Sequence, residues 1–331
     1  MPNRILLALL STLILCCAST SASAVEIKGW LRESSEYPQY QGLQYFFDRL
    51  KINTAGRYTG RVMCCDELGQ QKDVVPKFKA GEVDVVLFYS SALVTDVPEI
   101  AVFNLPFIFR NPDHMMSVLN GDAGQEMQGL LQKKGYTVLA WYDGGSRSFY
   151  SRNKLLPYAS DFKGQKIRVP NKPELLSMVK ALNATPSTLA FDKVPAALKS
   201  GELDVAENDF TSYYSSEHYK VAPYYTFSYH TVQPIVMLVS AKRWASLNEV
   251  DKSAFRLSAQ ESAVQAAKIR AQRDAEIRVK LEKAGVKFSQ FRGATTAISL
   301  MKSTYEPVIV SPKATELMVK IMTGGSHTKA E

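Results

Sequence analysis

The sequence is short of the residues and spacings from which most catalytic and metal centres are built. Its four histidines, His114, His218, His230 and His327, lie far apart, and neither His-x-x-x-His nor Cys-x-x-Cys occurs. Gly-x-Gly-x-x-Gly, a phosphate-binding P-loop and a Gly-x-Ser-x-Gly nucleophile elbow are also missing. No two carboxylates are marked as an acid–base couple. These absences argue against an enzyme and against a metal or cofactor. Cysteine is equally sparse: Cys16 and Cys17 fall near the N-terminus, and only the adjacent pair Cys64 and Cys65 remains beyond it. A bond between neighbours closes no loop and strains its ring, so two reduced thiols are the expected state, although an oxidising compartment would permit the bond. Basic runs are absent too. The 40 Lys and Arg residues outnumber the 32 acids but are scattered among them, which excludes a nucleic-acid track and leaves a mildly positive surface attractive to small anions.

One apolar run is present, at the very start. Arg4 precedes Ile5 to Ala18, interrupted only by Ser11 and Thr12, and Ser19 to Ala24 is small and polar with a small-x-small box at Ala22-Ser23-Ala24. Charge, apolar run and cleavage box come in the order of a secretory signal peptide, so residues 1–24 are expected to be removed. Lipid attachment at Cys16 is disfavoured because Leu15 stands where a small residue is wanted. No later run nears the ~18–20 residues that cross a bilayer, so the exported chain is expected to be soluble. Roughly 300 residues then remain, which is long for one core and suggests two lobes. The tail from Thr323 to Glu331 is expected to be flexible.

Hydrophobic periodicity gives an α/β rhythm. Val25 to Leu31 reads as a strand, Gln41 to Leu50 as an amphipathic helix and Tyr58 to Cys64 as a strand. Gln70 to Ala80 reads as a helix ended by Gly81, and Val83 to Phe88 as a buried parallel strand. A helix over Pro112 to Lys134, strands at Thr137 to Tyr142 and Lys166 to Val169, and helices at Pro173 to Leu182 and Val194 to Ser200 follow. Strands at Leu203 to Ala206 and Pro234 to Ser240 complete the rhythm. Asn248 to Ala284 is a single helix-friendly tract without Gly or Pro, long enough to brace two lobes. Phe78-Lys79-Ala80-Gly81-Glu82-Val83-Asp84-Val85 is echoed by Leu198-Lys199-Ser200-Gly201-Glu202-Leu203-Asp204-Val205. One αβ turn used twice fits two similar lobes facing one another. Arg147 and Arg168 stand at loop–strand junctions, where a guanidinium fork is suited to a carboxylate.

At these residues the sequence resembles the periplasmic solute-binding component of the tripartite ATP-independent periplasmic (TRAP) transporters, the family named for C4-dicarboxylate uptake (DctP). The resemblance spans essentially the whole chain after the leader. It rests on Leu68-Gly69 before a helix, Ala80 to Asp84, Asn104 to Phe109, Gly145-Ser146-Arg147, Phe162 to Pro170 and Ala197 to Asn208, in that order and spacing. It implies a two-lobed periplasmic binding protein fold with a long helix bracing both lobes. Residues 25–144 with about 233–272 would form lobe I, and about 145–232 with 273–322 lobe II. It implies that Arg168 holds the ligand carboxylate, with Arg147 beside it, Asn208 as a polar contact, Phe191 packed on the ligand, and Tyr89 and Ser90 meeting it from the first lobe. Cys64-Cys65-Asp66-Glu67 and the Asp209-Phe210 that follows Glu207-Asn208 depart from the family pattern and bear on which acid is bound. Gly-x-Arg-Ser-Phe-Tyr with Ala-Glu-Asn is similar to members that take sugar acids such as uronates, and Glu207, Asn208, Tyr150, Ser90 and Glu33 could supply the extra hydrogen bonds, with a purely structural Glu207 as the alternative. A C4-dicarboxylate or keto acid is the alternative ligand. The implied partners are a small organic acid and TRAP permease subunits in the membrane, for a monomer in the periplasm. A ligand-presenting sensor subunit and a periplasmic enzyme are the alternative roles.

Overall fold

The computed structural model describes residues 23–65 and 67–324. The expected leader as far as Ala22 lies outside the described residues, as does the expected flexible tail beyond Gly324; Thr323, the first residue of that expected tail, is instead the last of a helix. Among the described residues no helix is long and apolar enough to cross a membrane.

Nine strands among the described residues form one mixed sheet: β1 (Val25–Leu31), β2 (Tyr58–Met63), β3 (Val85–Tyr89), β4 (Thr137–Ser151), β5 (Lys166–Arg168), β6 (Thr185–Ser187), β7 (Val205–Asp209), β8 (Tyr224–Val239) and β9 (Lys287–Gln290). Their order is β2-β1-β3-β8-β4-β7-β5-β6, with β9 beside β8. The helices are α1 (Pro38–Asn53), α2 (Gln71–Lys79), α3 (Pro112–Asn120), α4 (Asp122–Lys133), α5 (Pro173–Ala181), α6 (Val194–Ser200), α7 (Phe210–Ser215), α8 (Ala241–Ser246) and α9 (Glu249–Lys283). Three more follow: α10 (Ala294–Leu300), α11 (Lys302–Tyr305) and α12 (Pro312–Thr323).

From either edge the sheet has the same plan. β2, β1 and β3 are parallel, and the C-terminal half of β8 joins them antiparallel, Val85 opposite Val239 and Tyr89 opposite Ile235. β6, β5 and β7 are parallel, and the C-terminal end of β4 joins them antiparallel, Arg147 opposite Asp209 and Ser151 opposite Val205. β4 and β8 pair with each other between the two lobes.

The repeated sequence segment has a physical reason. Gly81 and Gly201 both hold left-handed backbone, φ +73° and +86°, where a side chain would be strained. Asp84 donates its amide to the Lys28 carbonyl (2.9 Å) and accepts the Lys28 amide on Oδ2 (2.8 Å). Asp204 does the same with Lys166, at 3.0 Å in both bonds. The other carboxylate oxygen takes an arginine: Arg243 Nε lies 2.9 Å from Asp84, and Arg152 Nε 3.5 Å from Asp204. Arg152 directly follows β4, and Arg243 lies in α8, just after β8. Each lobe thus fastens the end of the long strand that enters it from the other lobe.

Helix α9 binds both lobes together. Asn248 caps it by accepting the Asp251 amide, acids occupy its first turn, and Lys280 and Lys283 lie in its last. Its 35 residues span about 52 Å. Phe255, Ala259 and Ala266 bury with Leu43 and Phe46 of α1 and with Val85 and Leu87 of β3. Ile277 and Leu281 bury with Leu198 of α6 and with Ala206 and Tyr225 of the other lobe. The face toward α1 carries small residues because the two helices touch: a Cβ on Gly42 would lie 2.8 Å from that of Ala266.

The single helix expected over Pro112 to Lys134 is in fact two, because Gly121 is extended (φ −99°, ψ −159°) and separates α3 from α4. The strands expected at Thr137 to Tyr142 and Pro234 to Ser240 are the apolar ends of the much longer β4 and β8, whose middles are polar because they face the space between the lobes.

Candidate functional site

Parallel strands leave loops at their C-terminal ends, and in an open α/β sheet those loops line the ligand crevice. The ends of β1, β3 and β7, with the middles of β4 and β8, bound a cavity of about 520 Å³. Its walls include Arg32, Glu33, Tyr37 and Tyr89 from the first lobe, and Arg147, Asn208, Asp209 and Ser212 from the second. Gln233 of β8 and Arg270 of α9 also line it. A smaller chamber of about 260 Å³ shares Arg32, Arg147 and Gln233 and extends to Asn104, Lys172 and Thr231. The two chambers meet at these shared residues. Gly144 is required there, since a Cβ would stand 2.5 Å from the Gln233 carbonyl.

Arg147 is held by a buried acid. Its Nε donates to Glu207 Oε2 at 2.6 Å, and its Nη2 to Oε1 at 2.9 Å and to the Glu207 carbonyl at 3.1 Å. Burial opposes the Glu207 charge, but the Arg147 charge and hydrogen bonds from His230 and Arg147 overcome it and hold the carboxyl down at about 2. His230 is itself fully buried; burial lowers its pKa despite Glu207, so the ring is neutral. It then donates Nε2–H to Glu207 (3.1 Å) and accepts from Ser228 Oγ on Nδ1 (2.9 Å).

Arg168 is different. It is 8% exposed, its Nε donates to the Leu189 carbonyl at 2.9 Å, and its Cζ lies 5.6 Å from the centre of the Phe191 ring. Among the described residues no carboxylate pairs with it, and its terminal nitrogens have no protein partner. Burial lowers its pKa from the ordinary value, with Glu207 acting against that. The neighbouring His218, hydrogen-bonded to Tyr150 (2.7 Å), is pushed down to about 4 by burial and by the Arg168 charge, so the arginine faces a neutral ring. A buried cation without an anion is a costly arrangement unless a ligand supplies one.

The expected site residues divide into three groups. Arg147, Asn208, Tyr89 and Glu33 line the main chamber. Tyr89 donates its hydroxyl to Glu33 Oε1 at 2.8 Å, and Glu33 Oε2 is buried without a partner among the described residues. Burial raises the Glu33 carboxyl, against the Tyr89 hydrogen bond and the charges of Arg32 and Arg270. Arg168 and Phe191 sit together, outside the residues that line the chambers. Ser90, Tyr150 and Glu207 are placed apart from the chamber walls. Each is fully buried and already bonded, Ser90 to Asn104 (2.8 Å), Tyr150 to His218, and Glu207 to Arg147 and His230.

Sequence reasoning missed Arg32, Gln233 and Arg270. Arg270 lies in the charged middle of α9, where it reads as a solvated residue, yet it reaches across to Asp143 at 3.0 Å. Arg32 adjoins Glu33 at the end of β1, and that adjacency was the available signal. Among the described residues no cluster of His, Cys, Asp and Glu is suited to a metal ion.

Behind the main chamber, Asp274 of α9 lines a cavity of about 270 Å³ with Asp143, Asp209, Arg270 and Arg278. Burial pushes its carboxyl up to about 6; Arg270 opposes the shift, and Asp143 and Asp209 add to it. A raised acid favours the folded state when protonated, so stability should fall as pH rises from about 4 to about 6. Asp274→Asn should therefore raise the melting temperature near pH 7.5, by roughly 1–2 kcal/mol of stability, and leave it unchanged near pH 4. Equal shifts at both pH values in thermal melts would contradict this.

The chain is similar to known proteins over most of its length. A model of the bacterial extracellular solute-binding proteins, family 7, matches residues 32–308. A solute-binding protein of Chromohalobacter salexigens is 30% identical over 312 residues, 94% of this chain and 93% of its own. A TRAP periplasmic solute binding protein from Roseobacter denitrificans, solved with bound β-D-glucuronate, is 32% identical with a TM-score of 0.76, covering 90% of this chain and 99% of its own. Another from Sulfitobacter sp., solved with bound β-D-galacturonate, is 27% identical with a TM-score of 0.74, covering 89% of this chain and 99% of its own.

Proposed function

The chain belongs to the bacterial extracellular solute-binding proteins of family 7, and from that premise we propose that it captures a hexuronic acid in the periplasm and delivers it to a TRAP permease. The observation that carries the reading is Arg168, a buried guanidinium with no acid of its own among the described residues and with its terminal nitrogens free, the donor geometry a carboxylate takes. Arg147 cannot substitute for it, because Glu207 already balances its charge.

The rest of the cleft suits a polyhydroxylated body better than a second carboxylate. Glu33, Asp209, Asn208, Ser212 and Gln233 offer hydrogen-bond acceptors and donors at the wall. Two of these are acids, and each wall arginine already has an acid beside it (Glu207 for Arg147, Asp143 for Arg270 and Glu33 for Arg32), so none is left over for the far end of a dicarboxylate. The likeness to proteins solved with glucuronate and galacturonate supports the same class of ligand. Capture would proceed by closure of the lobes about β4 and β8, which brings the Arg168 side and the Glu33 side onto one ligand. The protein would act as a monomer, without cofactor or chemical turnover.

The test is direct. The purified protein is denatured, and any released small molecule is identified by mass spectrometry; separately, melting is followed with D-glucuronate, D-galacturonate and succinate. A uronate should raise the melting temperature and succinate should not. Stabilisation by succinate alone would overturn the ligand class, and conversion of the uronate on incubation would overturn the non-enzymatic role.

A further inference from the structure

Cys64 and Cys65 lie between β2 and α2, and nothing in the ligand clamp uses them. Both are free thiols, and their sulfurs are 2.7 Å apart, well inside ordinary van der Waals separation. Cys65 is exposed and lines the main chamber beside Gly69 and Gln70. Its backbone is left-handed, φ +57°, so the chain turns out of the line of β2 there. The segment is held in place from one side: the Cys64 amide donates to Glu67 Oε1 at 3.0 Å, and the Glu67 amide to the Cys64 carbonyl at 3.2 Å. Arg61 holds the other Glu67 oxygen at 3.3 Å.

We propose that Cys64 and Cys65 form a reversible vicinal disulfide on the rim of the ligand cleft, so that the redox state of the compartment sets how firmly the cleft holds its ligand. The oxidant is another disulfide, on a protein or a small molecule. Cys65 is exposed and reacts first: its thiolate attacks one sulfur of that disulfide, and the other sulfur leaves as a thiolate. The Cys64 sulfur then attacks Cys65 and expels the remaining sulfur. One S–S bond forms as one breaks, both electrons pass to the oxidant, and the two thiol protons end on the two released thiols. Cys64 is the poorer first nucleophile, since burial, then Cys65 and Glu67, push its thiol up to about 12.

A bond between adjacent residues is strained, so it is readily reduced again and adds little to global stability. Its effect is local. It removes the side-chain freedom of Cys65 and stiffens the short segment that carries Gly69 and Gln70 to the cleft wall. A wall already ordered binds more tightly.

The experiment uses the exported form of the chain, from Val25 onward, treated with oxidised glutathione or with dithiothreitol, then alkylated and weighed intact. The oxidised protein should take up no alkyl group and the reduced protein two. D-glucuronate binding, measured by calorimetry on each form, should be about three- to tenfold tighter when oxidised. The Cys64→Ser, Cys65→Ser double variant should bind equally under both treatments. Two alkylations after oxidation, disulfide-linked dimers alone, or equal affinities would each overturn the proposal. The affinity measurement rests on the uronate reading of the cleft; the alkylation does not. If neither form binds D-glucuronate, that reading has failed, and amide hydrogen exchange over residues 67–70 decides instead: slower exchange in the oxidised form supports the switch and unchanged exchange overturns it.

Discussion

Arg168→Ala should abolish the thermal stabilisation that D-glucuronate gives the unaltered protein. The side chain makes one hydrogen bond to protein, from Nε, and leaves its terminal nitrogens for the ligand. Two charge-assisted bonds at about 1.5–3 kcal/mol each amount to a loss of roughly 100-fold or more in Kd. The ligand-free variant should melt no lower than the parent by more than about 1 kcal/mol, because deleting an unpaired buried charge relieves desolvation as it removes packing on Phe191. Arg168→Lys keeps the charge and loses the planar fork, and should recover only part of the affinity. Calorimetric titration of the three proteins checks the series. Full affinity in Arg168→Ala would remove the arginine from the clamp.

Glu207→Ala should act on stability first. It strands Arg147 in a buried site with no counter-charge, a loss of about 3–5 kcal/mol, or about 10 °C in melting temperature. Glu207→Gln keeps some hydrogen bonding and should fall between that variant and the parent. Removing both charges, with Arg147→Met beside Glu207→Ala, should restore much of the loss, and that restoration in a double-mutant cycle separates a stranded charge from a simple cavity. The acid limb of stability follows from the same pair. The Glu207 carboxyl is held down at about 2 in the folded state, so its contribution is complete above the ordinary value of 4.5 and is lost as pH falls toward 2. His218, kept neutral with a value near 4, adds a loss that begins as pH falls below 6.5.

Much of the fold was legible in the sequence because its signals are local. The apolar run of β3 and the amphipathic stripe of α1 each state their own structure. The twin segments running through Asp84 and Asp204 show the two-lobe plan, since each needs the same glycine and the same aspartate for the same bonds. The long strands β4 and β8 were legible only at their apolar ends. Their middles run past Asp143, Ser146, Thr231 and Gln233, a composition set by the cleft rather than by a core. The site was legible to the extent that it depends on arginines in strands. Whether such an arginine is free or already paired depends on a residue distant in sequence. Glu207 lies 60 positions from Arg147, and nothing near Arg147 announces it.

The ladder between β4 and β8 contains three register shifts, between Val138 and Ala140, Asp143 and Ser146, and Arg147 and Phe149. Two strands bonded edge to edge make a ribbon that twists readily but resists sliding, because sliding would break every rung together. The shifts interrupt the rungs, and the second, between Asp143 and Ser146, falls where the ribbon passes from one lobe to the other. The ribbon is therefore most compliant at Asp143 to Ser146, before Arg147 pairs with Asp209 of β7, and its easiest deformation is a rotation about its own length. Arg147 stands just past that stretch, already paired with β7, so any such rotation turns the arginine and the glutamate fastened to it as one body. The ion pair therefore rides with the second lobe, next to the compliant stretch and not inside it.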